Sequence, residues 1–110
     1  MSGTATGVVI GKDGCENDTF NGNEILTVSV QDTSRMDAPS ISLGDKKITL
    51  KKGQTFPISF NVQYDQQAAS NVPEYGFTLS ARIEGSAGNL LYINDTRTSA
   101  TSNQIKVKKV

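Results

Sequence analysis

The sequence predicts an all-β fold: an antiparallel two-sheet β-sandwich of about seven strands, with at most one helical turn. Three observations carry this expectation. In the strongest segments apolar residues fall on every second position, the alternation of a half-buried strand. Clusters of Gly, Asn, Asp, Ser and Pro separate these segments at turn-like intervals. No stretch holds a helical period for more than one turn.

Taken in order, residues 5–10 read as a first short strand, followed by the longest irregular stretch, residues 11–23. Leu26, Val28 and Val30 then alternate with Thr27, Ser29 and Gln31, a β-branched strand that ends at the turn former Asp32-Thr33-Ser34. Ile41 and Leu43 lie on odd positions but Ile48 and Leu50 on even ones. A strand cannot change faces without an extra residue, so Gly44-Asp45 marks a kink, with a bend between sheets or a tight hairpin as the alternatives. The clearest strand spans residues 56–64, where Phe56, Ile58, Phe60, Val62 and Tyr64 alternate with polar residues and Pro57 sits near the start, where a missing N–H is tolerated. Asp65 is placed to cap one helical turn that Asn71-Val72-Pro73 stops. Residues 75–83 form the second clear strand, Gly85-Ser-Ala-Gly-Asn89 reads as a hairpin turn, and residues 90–94 and 104–108 complete the set.

A chain of 110 residues with 35% hydrophobic residues holds one domain, residues 1–110, of which residues 1–4 are expected to be flexible or the remnant of a trimmed segment. There is no histidine, which removes Ser-His-Asp and Cys-His catalysis, His-ligated zinc and an imidazole pH switch. The one cysteine, Cys15, closes no intrachain disulfide; with no apolar run before it, it is not a lipid-acceptor cysteine either. No apolar run approaches the length of a signal-peptide core or a membrane span, so the chain as given is expected to be soluble. The zero net charge hides segregation. Residues 13–24 carry acids and no base, the tail from Thr96 carries bases and no acid, and seven of the eight lysines form two groups, Lys46, Lys47, Lys51 and Lys52, then Lys106, Lys108 and Lys109. Lysines on edge strands discourage sheet-to-sheet aggregation, and that reading is preferred to an anionic-lipid or acidic-partner surface.

The chemistry-bearing candidates are few. Residues 13–24 offer oxygen ligands but not the spacing of an EF-hand, and turn chemistry accounts for them, so no metal or other cofactor is expected. Asp32, Asp37 and Asp65 lie nearest to strand ends; capping of backbone N–H groups is the preferred role, and no catalytic residue is assigned. Asn17-Asp-Thr and Asn94-Asp-Thr match the glycosylation pattern, a common coincidence in a chain rich in Asn and Thr. The lysine groups contain no aromatic residue, which argues against nucleic acid, and there is no phosphate-binding glycine loop.

The segments 26–39, 57–65, 75–83 and 91–96, in that order and spacing, resemble a family of small bacterial outer-membrane lipoproteins, the YscW-type pilotins of type III secretion together with the YbaY-type lipoproteins. The most specific piece is the D-x-S-R-x-D-A-P run from Asp32 to Pro39. The resemblance implies a β-sandwich held on the periplasmic side of the outer membrane by an N-terminal lipidated cysteine, which this chain lacks. Pilotins escort the secretin, the ring-forming channel subunit, and promote its assembly; the YbaY-type role is open. The implied partner is therefore a secretin or another envelope protein, the function non-enzymatic, and the alternatives a YbaY-type lipoprotein or a small-molecule or glycan-binding module. The family positions Asp32, Ser34, Arg35, Asp37, Pro39, Pro57, Phe60, Tyr64, Asp65, Asn94 and Asp95 are read as structural: Asp32 and Ser34 accept local N–H bonds, Arg35 pairs with Asp37, and Pro39 returns the chain to an extended path.

Overall fold

The computed structural model describes residues 2–34, 39–94 and 98–110. Its elements are β1 (Ser2–Gly11), β2 (Ile25–Asp32), β3 (Ile41–Thr49), β4 (Ile58–Asp65), the one-turn helix α1 (Gln66–Ala69), a 3-10 turn at Glu74–Gly76, β5 (Phe77–Glu84), β6 (Leu90–Ile93), β7 (Thr98–Ser99) and β8 (Gln104–Lys109). The all-β expectation holds, and α1 is the single α-helical turn among the described residues, capped as anticipated by Asp65, whose side chain accepts from the N–H groups of Gln67 and Ala68.

The architecture differs from two stacked sheets. The strands form one eight-stranded sheet in the order β3-β2-β5-β6-β8-β1-β4, with β7 added on β5. The joint is β8, which pairs antiparallel with β6 and parallel with β1. That parallel pair joins the two ends of the chain, and nothing local in the sequence marks it, because a parallel neighbour is reached through a long crossover rather than a hairpin. The sheet rolls until its two end strands, β3 and β4, lie side by side, giving a nearly closed barrel.

Alternation decides which residues fill the barrel. Partners across a ladder share a face, so Leu26–Ile83, Val28–Ala81 and Val30–Leu79 form one inward set and Ala5–Val62 and Val9–Ile58 another. Ile105 and Val107 of β8 bridge the two sets, and all of these side chains are buried. Each large one stabilises by about 1.5–3 kcal/mol. In β1 the inward row passes through Gly7, opposite Phe60, where a side chain would strike the backbone of Asn103. Residues 2–4 belong to β1 and pair with Asp65, Tyr64 and Gln63, so they are strand rather than a flexible lead-in. β3 is one kinked strand: its register against β2 shifts between Val30 and Gln31, leaving Leu43 as the extra residue that moves the apolar pattern from odd to even positions.

The loop between β1 and β2 folds back over the lower end of the barrel. Phe20 bonds through its N–H to Gln54 and through its carbonyl to Gly53, and Thr19 bridges to Thr55. The Phe20 ring thereby meets Phe56 and Tyr92 edge-on, with the three centroid separations between 5.3 and 5.8 Å. Beyond area burial, each such aromatic pair adds about 0.5–1.5 kcal/mol. At the opposite end Tyr64 and Phe77 pack edge-on at 5.4 Å and are only half-buried.

Candidate partner-binding site

The rolled sheet is left unpaired at the seam between β3 and β4. These strands end the sheet order on either side and no ladder joins them. They run antiparallel and meet at Gly44, where a Cβ would run into the Gln63 carbonyl oxygen and the Tyr64 Cα. Only glycine permits that approach. Just below it the edges part to leave a cleft of about 250 Å³ lined by Asp45 and Lys46 of β3 and by Asn61 and Gln63 of β4.

Register explains why a lysine stands there. Lys46 pairs with the fully buried Val28, so it belongs to the core-facing row of β3, yet it is exposed because no paired strand lies beyond it. An inward-row charge on an edge strand is one of the devices that keep edges from pairing indiscriminately. Lys47 pairs with Thr27 and stands on the outer face. Asn61 and Gln63 alternate with the buried Phe60 and Val62 and are exposed. The sequence reading assigned no partner-binding residue. The legible signal was the parity of Lys46, which matches the inward Ile48 and Leu50.

The family positions are spread over the barrel ends. Asp32 closes β2, and its carboxylate accepts from the Ser34 N–H at 2.9 Å and from the Ser34 hydroxyl at 2.6 Å, so Ser34 donates here rather than accepting. Thr33 bonds across to the Gly76 carbonyl, tying this corner to the start of β5. Pro39 and Pro57 are exposed, the latter following a cis peptide bond just before β4, whereas Phe60 is buried in the core. Tyr64 lies over Gly3 of β1. Asn94 extends β6 by one position with its side chain: Oδ1 accepts from the Ala81 N–H at 3.0 Å and Nδ2 donates to the Leu79 carbonyl at 3.3 Å. Arg35, Asp37 and Asp95 lie outside the described residues. Of the three carboxylates considered for acid–base work, Asp32 and Asp65 are each held by local donors, and Asp37 is among the residues not described.

Two of the four acids of the loop, Asp18 and Glu24, turn inward, while Asp13 and Glu16 are exposed. Gly22, at φ +100°, takes the left-handed conformation that folds the chain back on itself, and the N–H groups of Asn21, Gly22 and Asn23 converge on the Glu24 carboxylate at 3.0–3.1 Å. Burial alone would push the Glu24 carboxyl up, but these backbone bonds together outweigh it and hold the group below its ordinary value. Asp18 accepts from the Tyr92 hydroxyl, and Glu16 accepts from the Gly14 N–H. Burial, reinforced by the Asp18 carboxylate beside it, pushes the Tyr92 phenol above its ordinary value. Cys15 is buried, its thiol donating to the Lys12 carbonyl at 3.0 Å. Among the described residues no three His, Cys, Asp or Glu side chains gather to hold a metal ion.

No curated protein matches the chain significantly. A solved structure of an alternative pilotin from the type II secretion system of Vibrio cholerae superposes with a TM-score of 0.80 at 24% identity, covering 100% of this chain and 98% of that one. The likeness extends to the whole barrel. Residues 6–110 match the model of the type III secretion system lipoprotein chaperones, YscW, from the first strand to the end of the last; the chain belongs to that family.

Proposed function

We propose that this protein is a non-enzymatic chaperone that binds a secretin and delivers it to the outer membrane, with the barrel carried on the periplasmic side by an N-terminal lipid anchor outside this sequence. Membership of a lipoprotein-chaperone family supports the reading. So does the fold it shares with a pilotin. The observation that carries it is the unclosed sheet: two strand edges face each other across a cleft with no ladder between them. Exposed edges bind protein segments through main-chain hydrogen bonds, while neighbouring side chains supply specificity.

Three of the motif's polar residues have intramolecular duties. Asp32 with Ser34, Asp65 at the start of α1 and Asn94 at the end of β6 each satisfy backbone or side-chain donors of their own chain.

The test is co-purification of the full-length lipidated protein from envelope membranes, together with the fraction of secretin assembled in its absence. Recovery of the secretin and loss of its multimers on deletion are expected. A lipoprotein recovered without any secretin, and a secretin that assembles normally without it, would overturn the proposal in favour of a different envelope role.

A further inference from the structure

The two ends of the barrel differ in chemistry. At the upper end, opposite the Phe20–Phe56–Tyr92 cluster, Ile41 is laddered to Asp32 and Asp32 to Phe77, so the three share the inward row at the top of β3, β2 and β5. Tyr64 is the last inward residue of β4, and its ring meets Phe77 edge-on across the mouth of the barrel. Tyr64 and Phe77 are only half-buried there, and Ile41 is 47% exposed despite its inward register. Tyr75, in the 3-10 turn leading into β5, is 67% exposed beside the corner where Gly76 lies against Ser34. Charge is distributed the other way. No lysine of the sequence stands above Lys46, which lies partway down β3 opposite Val28. Asp32 and Asp65, at the upper end, accept from donors of their own chain. The lower end exposes Lys51, Lys52, Asp13 and Glu16, so its exposed apolar residues, Ile25 and Val110, share a charged surface.

The path of the chain gives the upper end a direction. Ser2 pairs with Asp65 and Gly3 with Tyr64, whose ring lies over Gly3, so an anchor attached N-terminal to β1 leaves the barrel beside the aromatic mouth. We infer that the upper end is the membrane-facing end of the protein, with Tyr75 and Ile41 settled in the headgroup region of the bilayer and Tyr64 and Phe77 behind them. This rests on the lipid anchor of the chaperone reading and adds which face the anchored barrel turns to the lipid. Tyrosine suits that level because its ring is apolar and its hydroxyl stays wet. Two such side chains are too few to hold a protein on lipid alone; the anchor supplies the affinity and the aromatic end the orientation. That orientation points the charged lower end away from the membrane. With no lysine at the upper end, docking there does not depend on anionic headgroups.

The test is the isotope-labelled, full-length lipidated protein in nanodiscs of zwitterionic lipid doped with a nitroxide-headgroup lipid. The amides of residues 40–42 and 74–76 are expected to broaden strongly and those of residues 13–16, 51–53 and 86–88 to stay sharp, at low and high salt alike. Replacing the two exposed side chains together (I41S and Y75S) is expected to lower the ratio of docked to free barrel about tenfold or more and to spread the broadening evenly. The measurement on the unaltered protein stands even where that variant fails to fold. Even broadening over the whole unaltered barrel, or broadening at Lys51 and Lys52 that requires anionic lipid and disappears in salt, would overturn the orientation and leave the anchor in place. Shifts of the 40–42 and 74–76 amides on adding the secretin with no lipid present would also overturn it, assigning this end to the partner protein instead. A full-length protein recovered without lipid would overturn the anchored reading beneath it.

Discussion

The Tyr92 hydroxyl donates to the Asp18 carboxylate at 2.7 Å, across 74 positions of sequence. This bond fastens the β1–β2 loop to β6 beside the aromatic cluster that fills the lower end of the barrel. Replacing Tyr92 with Phe keeps the ring contacts and removes the bond, leaving a half-buried carboxylate without that donor. The expected loss is about 1–2 kcal/mol. In a domain of this size each kcal/mol lowers Tm by about 4–8 °C, so a thermal melt reads it directly.

Glu24 makes the lower end acid-sensitive. Its folded-state carboxyl titrates below its ordinary value of 4.5, so its contribution is complete above that pH and is lost as the pH falls through the lower, folded value. Urea unfolding at steps from pH 7 downward is expected to show stability falling below about pH 4.5 in the parent, with part of that fall absent in Glu24→Gln. At pH 7 the variant is expected to be less stable by about 1–3 kcal/mol, because a neutral acceptor replaces a charged one under three converging N–H groups.

Asn94 substitutes for a missing strand residue. Asn94→Ala leaves the Ala81 N–H and the Leu79 carbonyl without their side-chain partner. A destabilisation of about 1–3 kcal/mol is expected, with faster amide exchange at Ala81 as the local signature. Asn94→Asp keeps the acceptor and is expected to fall between the two.

Gly44 sets the width of the seam. In Gly44→Ala the new Cβ meets backbone atoms of Gln63 and Tyr64, which cannot swing aside as a side chain would. The edges must part, at an expected cost of about 1–3 kcal/mol. Amide shifts confined to residues 42–46 and 61–65 would show that the change is local; an unchanged melt and spectrum would mean that β3 and β4 do not touch in solution.

Much of the fold was legible because alternation is a local code. The even positions from Ile58 to Val62, the β-branched run of β2 and the parity switch around Gly44 each declare a buried face without reference to the rest of the chain. Turn chemistry was equally direct: Asp65 capping α1 and the Gly85-to-Asn89 hairpin fall where their residue types place them. β7 was missed because two residues are too short for any period, and Asn94 stood out as a motif without revealing that its carboxamide pairs with β5. The 13–24 loop reads by composition as turn chemistry alone. Asp18 and Glu24 turn inward because Tyr92 and the backbone of Asn21 to Asn23 come to meet them.

By itself the sequence determined that the chain is built of strands, which face of the longer ones is buried, and where those strands turn. It also carried the family pattern from Asp32 to Pro39. The tertiary structure decided which edges pair. Side-chain period says nothing about a strand's neighbours, and the parallel β1–β8 ladder that turns an expected sandwich into one rolled sheet joins the two ends of the chain. The same closure brings β3 and β4 together at Gly44 and Gln63 without a ladder, and so produced the seam and set Lys46 beside it.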